Sequence, residues 1–101
     1  MNFLGEKQTD LMGKVYKLKD LIEYQVGSVV SRTVIDKDVG TVTLFAFDEG
    51  ESLSKHTAPH DALVIDLDGE VDVKIAGKKN HLTEGDAIIM PANKSHALRA
   101  H

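Results

Sequence analysis

Apolar and polar positions alternate with a period of two along much of this chain. The runs SVVSRTVID (28–36), GTVTLFAFD (40–48), ALVIDLDGEVDVKIAG (62–77), NHLTEG (80–85) and DAIIMPA (86–92) are each rich in Val, Ile, Thr or Phe and are bounded by Gly, Asp or Asn. Short β-branched runs at such spacing predict an all-β domain, a sandwich or a barrel. The clearest local pattern is VIDLDGEVDVKI, with Asp68-Gly69 as a turn and a second turn at Gly77-Lys78-Lys79-Asn80. Together these predict a three-stranded meander over 63–83. LKDLIEY (18–24) reads as a short helical or irregular piece, closing an N-terminal extension of about 25 residues ahead of a β region over about 26–101, the whole of 1–101 being one domain.

Composition narrows the chemistry. With 101 residues, 42% of them hydrophobic and 28% charged, the chain is expected to fold as one soluble domain, with no window apolar enough to span a membrane. The start, MNFLGEKQTDLMGK, lacks a basic, apolar and small-residue succession, which predicts a cytoplasmic protein. A net charge of −4, with twelve Lys and Arg spread along the chain, argues against nucleic-acid binding. The absence of cysteine excludes disulfides and thiolate ligands, so a metal would have to be held by nitrogen and oxygen. Five histidines and sixteen carboxylates are available for that. No glycine-rich phosphate loop and no strained nucleophile turn is present.

His56 and His60 flank Pro59 ahead of a β-branched run. If the chain is extended from residue 56 onward, residues 56, 58, 60 and 62 share one face and Asp61 points to the other. Four residues of extended chain separate two side chains by about 13 Å. A bend near Ala58-Pro59 is therefore required before His56 and His60 can share one ion.

Two spaced motifs then resemble those of the cupin superfamily. Gly50, five residues, His56 and, later, Gly69 fit the first; Gly85, five residues, Pro91, Asn93 and His96 fit the second. The resemblance spans 50–96 and implies a small jelly-roll barrel with a ligand or metal in its mouth. It also implies tight turns at Gly69 and Gly85, a stiffening role for Pro91, and a divalent ion held by two histidines and a glutamate of the first motif with one histidine of the second. His56 and His96 stand at two of those positions. Ala58 and Ala62 stand at the second histidine and the glutamate, and Asn93 replaces a glycine while tolerating left-handed angles.

Two readings of the histidines stay open. In one, His56, His60 and His96 hold a divalent ion of the zinc, nickel, iron, manganese or copper group, with Asp61 either taking a loop hydrogen bond or supporting a ring. In the other, the histidines are polar residues lining a barrel without metal, which then binds a small molecule. The resemblance further implies, as an alternative, a metal-dependent enzyme of dioxygenase, isomerase or decarboxylase type. His81 and His101 are expected to be solvated, and Asp66, Asp68, Glu70 and Asp72 to form an outward sheet face. Related barrels continue with a further strand after the second-motif histidine, whereas here only Leu98-Arg99-Ala100-His101 follows. That predicts an uncovered edge, closed by a homodimer that exchanges residues 28–36, or else a chain that is part of a longer one.

Overall fold

The computed structural model describes residues 11–101; the first ten residues of the expected N-terminal extension lie outside the described residues. Two compact units divide the chain, Met1–Asp48 and Glu49–His101. Among the described residues there is no α-helix, and none long and apolar enough to cross a membrane. The fold is all-β.

In the first unit a 3-10 turn, Leu18–Leu21, is followed by a hairpin of β1 (Val29–Lys37) and β2 (Gly40–Phe47). Alternation places Val30, Leu44 and Ala46 on one buried face, and Val30 sits opposite Ala46 in the register. A bulge between Thr33 and Ile35 interrupts the ladder. Asp48 closes the base: its Oδ2 accepts the Gly27 N–H at 2.7 Å while its own N–H donates to the Ser28 carbonyl. Residues 28–36 therefore pair within their own chain.

The second unit contains β3 (Ser52–His56), β4 (Ala62–Ile65), β5 (Val71–Ile75), β6 (Lys78–Leu82), β7 (Ala87–Met90) and β8 (His96–Ala100). Four of these form one sheet in the order β3-β8-β5-β6, and β4 pairs with β7. Val73, Leu82 and Met90 make the buried core, with Ala62, Val64, Val71, Ile75, Ile88 and Leu98 packed against it. Every one of these residues comes from the inward parity of its strand, which is why Asp72 and Lys74 face away from them.

Three expectations are corrected here. The meander over 63–83 does not form, because β4 leaves the β5–β6 hairpin and pairs with β7 instead. Asp68-Gly69, with Gly69 at φ 78°, is a corner between sheets; the turn chemistry is the same, and only the pairing of β4 decides between corner and hairpin. The β5–β6 turn is Ala76-Gly77, both residues at positive φ, so Lys78 and Lys79 belong to β6. Asp66 is not on an outward face: it is buried at the corner, where Oδ1 accepts the Asp68 N–H at 3.0 Å and burial raises its carboxyl pKa. β8, the strand that carries His96, lies inside its sheet and is paired on both sides, with β3 and β6 at the edges.

Ala76 at φ 48° holds a left-handed angle that costs a residue with a Cβ about 1–2 kcal/mol. Replacing it by asparagine, which tolerates that angle ahead of Gly77, should raise stability by about 0.5–1 kcal/mol. Urea denaturation of wild type and Ala76→Asn checks this, and a lower midpoint in the variant would contradict it.

Candidate functional site

The β3–β8 pairing carries the site. Leu53 lies opposite Leu98, but the next matched pair is His56 and His96, so β3 spends one residue more than β8 between the two matches. A regular ladder would set Lys55 opposite His96. The bulge at Ser54-Lys55 instead turns His56 to the face on which His96 sits, the use to which bulges near sites are put. His96 is opposite Ile75 on the inward side of β5 and is buried, at 5% exposure; His56 is exposed.

Their Nε2 atoms are 2.9 Å apart and the rings meet edge to face, with centroids 4.2 Å apart. The Ser54 carbonyl, 2.8 Å from His56 Nδ1, can only accept, so that nitrogen carries a proton. Nε2 of a neutral His56 is then bare and takes the Nε2–H of His96. This assignment leaves His96 Nδ1 as a buried lone pair without a partner. The reverse assignment would leave a buried N–H there, the costlier orphan.

The loops on either side are tied together. Asn93 N–H donates to the Ala58 carbonyl at 2.8 Å, and Ala92 N–H donates to Asp61 Oδ1 at 2.8 Å. Asn93 has φ 64°, the left-handed angle expected of a residue replacing glycine, and Gly85 has φ 91°. Asp61 thus serves a loop and no histidine. His60 lies exposed in the bend at residues 59–60, after β3 has ended. Among the described residues the three-donor groups with all ligand atoms within 4.8 Å do not include His56, His60 and His96 together.

A second constellation, missed in the sequence, is such a group: Asp72, His81 and His101. Asp72 on β5 faces His81 on β6 in the register, and the His101 N–H binds the Glu70 carbonyl, extending the β8–β5 ladder by one residue. His81 Nδ1 lies 2.8 Å from Asp72 Oδ1 and its Nε2 lies 2.9 Å from Glu70 Oε1. His101 Nε2 is 2.7 Å from Asp72 Oδ2, and Lys79 Nζ is 3.8 Å from the same oxygen. The two histidines are about half exposed, as expected of surface residues, yet both are engaged.

Hydrogen bonds from His81 and His101 hold the Asp72 carboxyl below its ordinary 3.8, and those to Asp72 and Glu70 raise His81 above 6.5. The raised histidine contributes stability that is complete below pH 6.5 and is lost as the pH climbs through its folded-state value. The lowered carboxylate contributes stability present above pH 3.8 and lost as the pH falls through its own. Chelator-treated protein should therefore melt at a lower temperature at pH 8.5 than at pH 6, and His81→Gln should flatten that difference. Melting curves that stay parallel in wild type and variant across this range would show that the cluster carries no such linkage.

Comparison with known proteins agrees with this architecture. Residues 43–101 match the family described as Cupin domain. A conserved protein of unknown function from Streptococcus pyogenes is 32% identical, with a TM-score of 0.82 over 87% of this chain and 77% of its own. A cupin 2 conserved barrel domain protein from Leptotrichia buccalis is 40% identical, with a TM-score of 0.83 over 85% of this chain and 41% of its own. A cupin superfamily protein from Desulfitobacterium hafniense is 31% identical, with a TM-score of 0.82 over 87% of this chain and 81% of its own. None of the curated proteins matches the chain in sequence.

Proposed function

This chain belongs to the cupin family, and from that premise we propose that it binds a small ligand at the paired imidazoles of His56 and His96, a divalent metal ion taken through Nε2 of each ring. The observation that carries the reading is the 2.9 Å approach of the two Nε2 atoms. Nitrogens bound to one ion at about 2.0–2.1 Å each lie no more than about 4.2 Å apart, so this pair fits without backbone movement. The Nδ1–H of His56, donated to the Ser54 carbonyl, fixes the ring in the tautomer that leaves Nε2 free, as outer-sphere partners of metal-binding histidines do.

What the chain's own residues do follows from their protons. His96 has to move its proton from Nε2 to Nδ1 to offer a lone pair, and Nδ1 is buried without an acceptor. A buried donor left unmatched costs about 1–3 kcal/mol, which weakens the ion's hold. Ala58 and Ala62 contribute no ligand, so water or an oxygen-bearing small molecule fills the remaining positions. A bound ion would supply Lewis acidity toward such a molecule. His60 joins only if its bend folds back against the ties made by Ala58 and Asp61.

A second reading keeps the His56–His96 pair as a small-molecule site and dispenses with the ion. It is favoured by the two alanines and by the direct His56–His96 contact, which already satisfies both Nε2 atoms. Thermal melting with zinc or nickel, and separately with small carboxylates after chelation, discriminates the two. Stabilisation by metal that His56→Ala removes supports the first. Stabilisation by a carboxylate alone supports the second, and neither response would sink both.

A further inference from the structure

We infer that Asp72, His81 and His101 form a second divalent-metal site, of the zinc class, on the outward face of the β8-β5-β6 sheet. It is separate from the His56–His96 pair. His96 lies opposite Ile75, on the inward face of β5, whereas Asp72 alternates with the buried Val73 and points the other way.

The donor set suits such an ion. Two imidazoles and one carboxylate match the composition of open zinc sites, in which a fourth position stays free for water or an external oxygen donor. The three ligand atoms already lie within 4.8 Å of one another, on β5, on β6 and on the residue just past β8, all placed by backbone bonds. An ion entering here replaces the protons now shared between Asp72 and the two rings, and no strand has to shift.

The far nitrogen of His81 is engaged as well. A histidine that binds metal through one nitrogen characteristically gives its other N–H to a carboxylate, which orients the ring and strengthens its donor atom. With Nδ1 directed at Asp72, His81 presents Nε2 to Glu70 Oε1 at 2.9 Å. Glu70 is thus a positioning residue, and it stands on the same face as Asp72, two residues away on the chain. His101 meets Asp72 from the β8 side through Nε2, its ring edge-on to that of His81 with centroids 5.0 Å apart. Asp72 itself is a carboxylate only 8% exposed that collects His81, His101 and the 66%-exposed Lys79 around it. Lys79 is free to swing into solvent when an ion takes over the charge.

The test uses the full chain carrying His56→Ala, an exposed position, so that the inward pair cannot contribute. Zinc is titrated against a chromophoric chelator in this parent and in parents further changed to His81→Gln, His101→Gln or Glu70→Gln. One equivalent should bind to the parent. Loss of either histidine should weaken it more than 100-fold, and Glu70→Gln should weaken it about 10–100-fold. Circular dichroism confirms that each variant is folded; these side chains are about half exposed, which favours that outcome. No zinc bound by the parent, or an affinity in both histidine variants equal to the parent's, would overturn the inference, and neither result bears on the His56–His96 pair.

Discussion

Leu82→Ala should lower the stability of this chain by about 2–5 kcal/mol, the largest effect expected of any single truncation considered. Leu82 is 3% exposed and, with Val73 and Met90, makes the buried core between the β4–β7 pair and the larger sheet. That core is small, and only Val30 and Val73 among the described side chains fall below 2% exposure. Domains of this size have roughly 5–15 kcal/mol in total, so the loss is a large fraction of it. At about 4–8 °C for each kcal/mol, the midpoint of thermal unfolding should fall by at least 8 °C or so. Calorimetry of the variant checks this. A fall of under 3 °C or so would mean that the Val73–Leu82–Met90 contact is not what holds the second unit together.

His56→Ala should abolish metal binding at the inward pair while leaving the fold nearly untouched, because His56 is exposed and ends its strand. The loss should be complete rather than partial. With Ala58 and Ala62 in place of the family's other ligands, a single imidazole remains, and one neutral ligand does not hold an ion in a defined position. His96→Phe should give the same loss of binding by another route, since it removes the nitrogen but fills the buried volume. His96→Ala is the harsher change, removing a ring that is 5% exposed and adding a cavity to the lost ligand. Metal content after purification without chelators, with His81→Gln present to silence the outward cluster, reads both effects. Equal metal in His56→Ala, His96→Phe and their parent would contradict the assignment.

Much of this architecture was legible in the alternation of apolar and polar positions. The runs 28–36, 40–48 and 86–92 became β1, β2 and β7 within a few residues, and Asn93 adopted the left-handed angle its substitution for glycine implies. What escaped was governed by pairing. β3 reads SLSKH and β8 reads HALRA, each with one large apolar residue, so neither shows the alternation of a strand. Their identity as strands comes from their neighbours in the sheet. The bulge that turns His56 toward His96 is likewise a property of two strands and cannot be seen in either alone.

The Asp72–His81–His101 cluster did leave one signal. With a two-residue turn at Ala76-Gly77, residues equidistant from it pair, and Asp72 falls opposite His81. Placing the turn four residues wide at 77–80 hid this, because Lys78 and Lys79 look like loop residues while belonging to β6. His101 could not have been found that way, since its approach depends on β8 docking along β5. A histidine expected to be merely solvated therefore sits in a hydrogen-bonded group for reasons of register, and exposure alone was a poor guide to its chemistry.

The central claim is that Nε2 of His56 and Nε2 of His96 bind one ion between them. Crystals soaked in zinc or nickel, with anomalous diffraction collected at the metal edge, test it directly. The account predicts a peak about 2.0–2.1 Å from both nitrogens. Rings still in direct contact at 2.9 Å, with no anomalous density beside them, would contradict it.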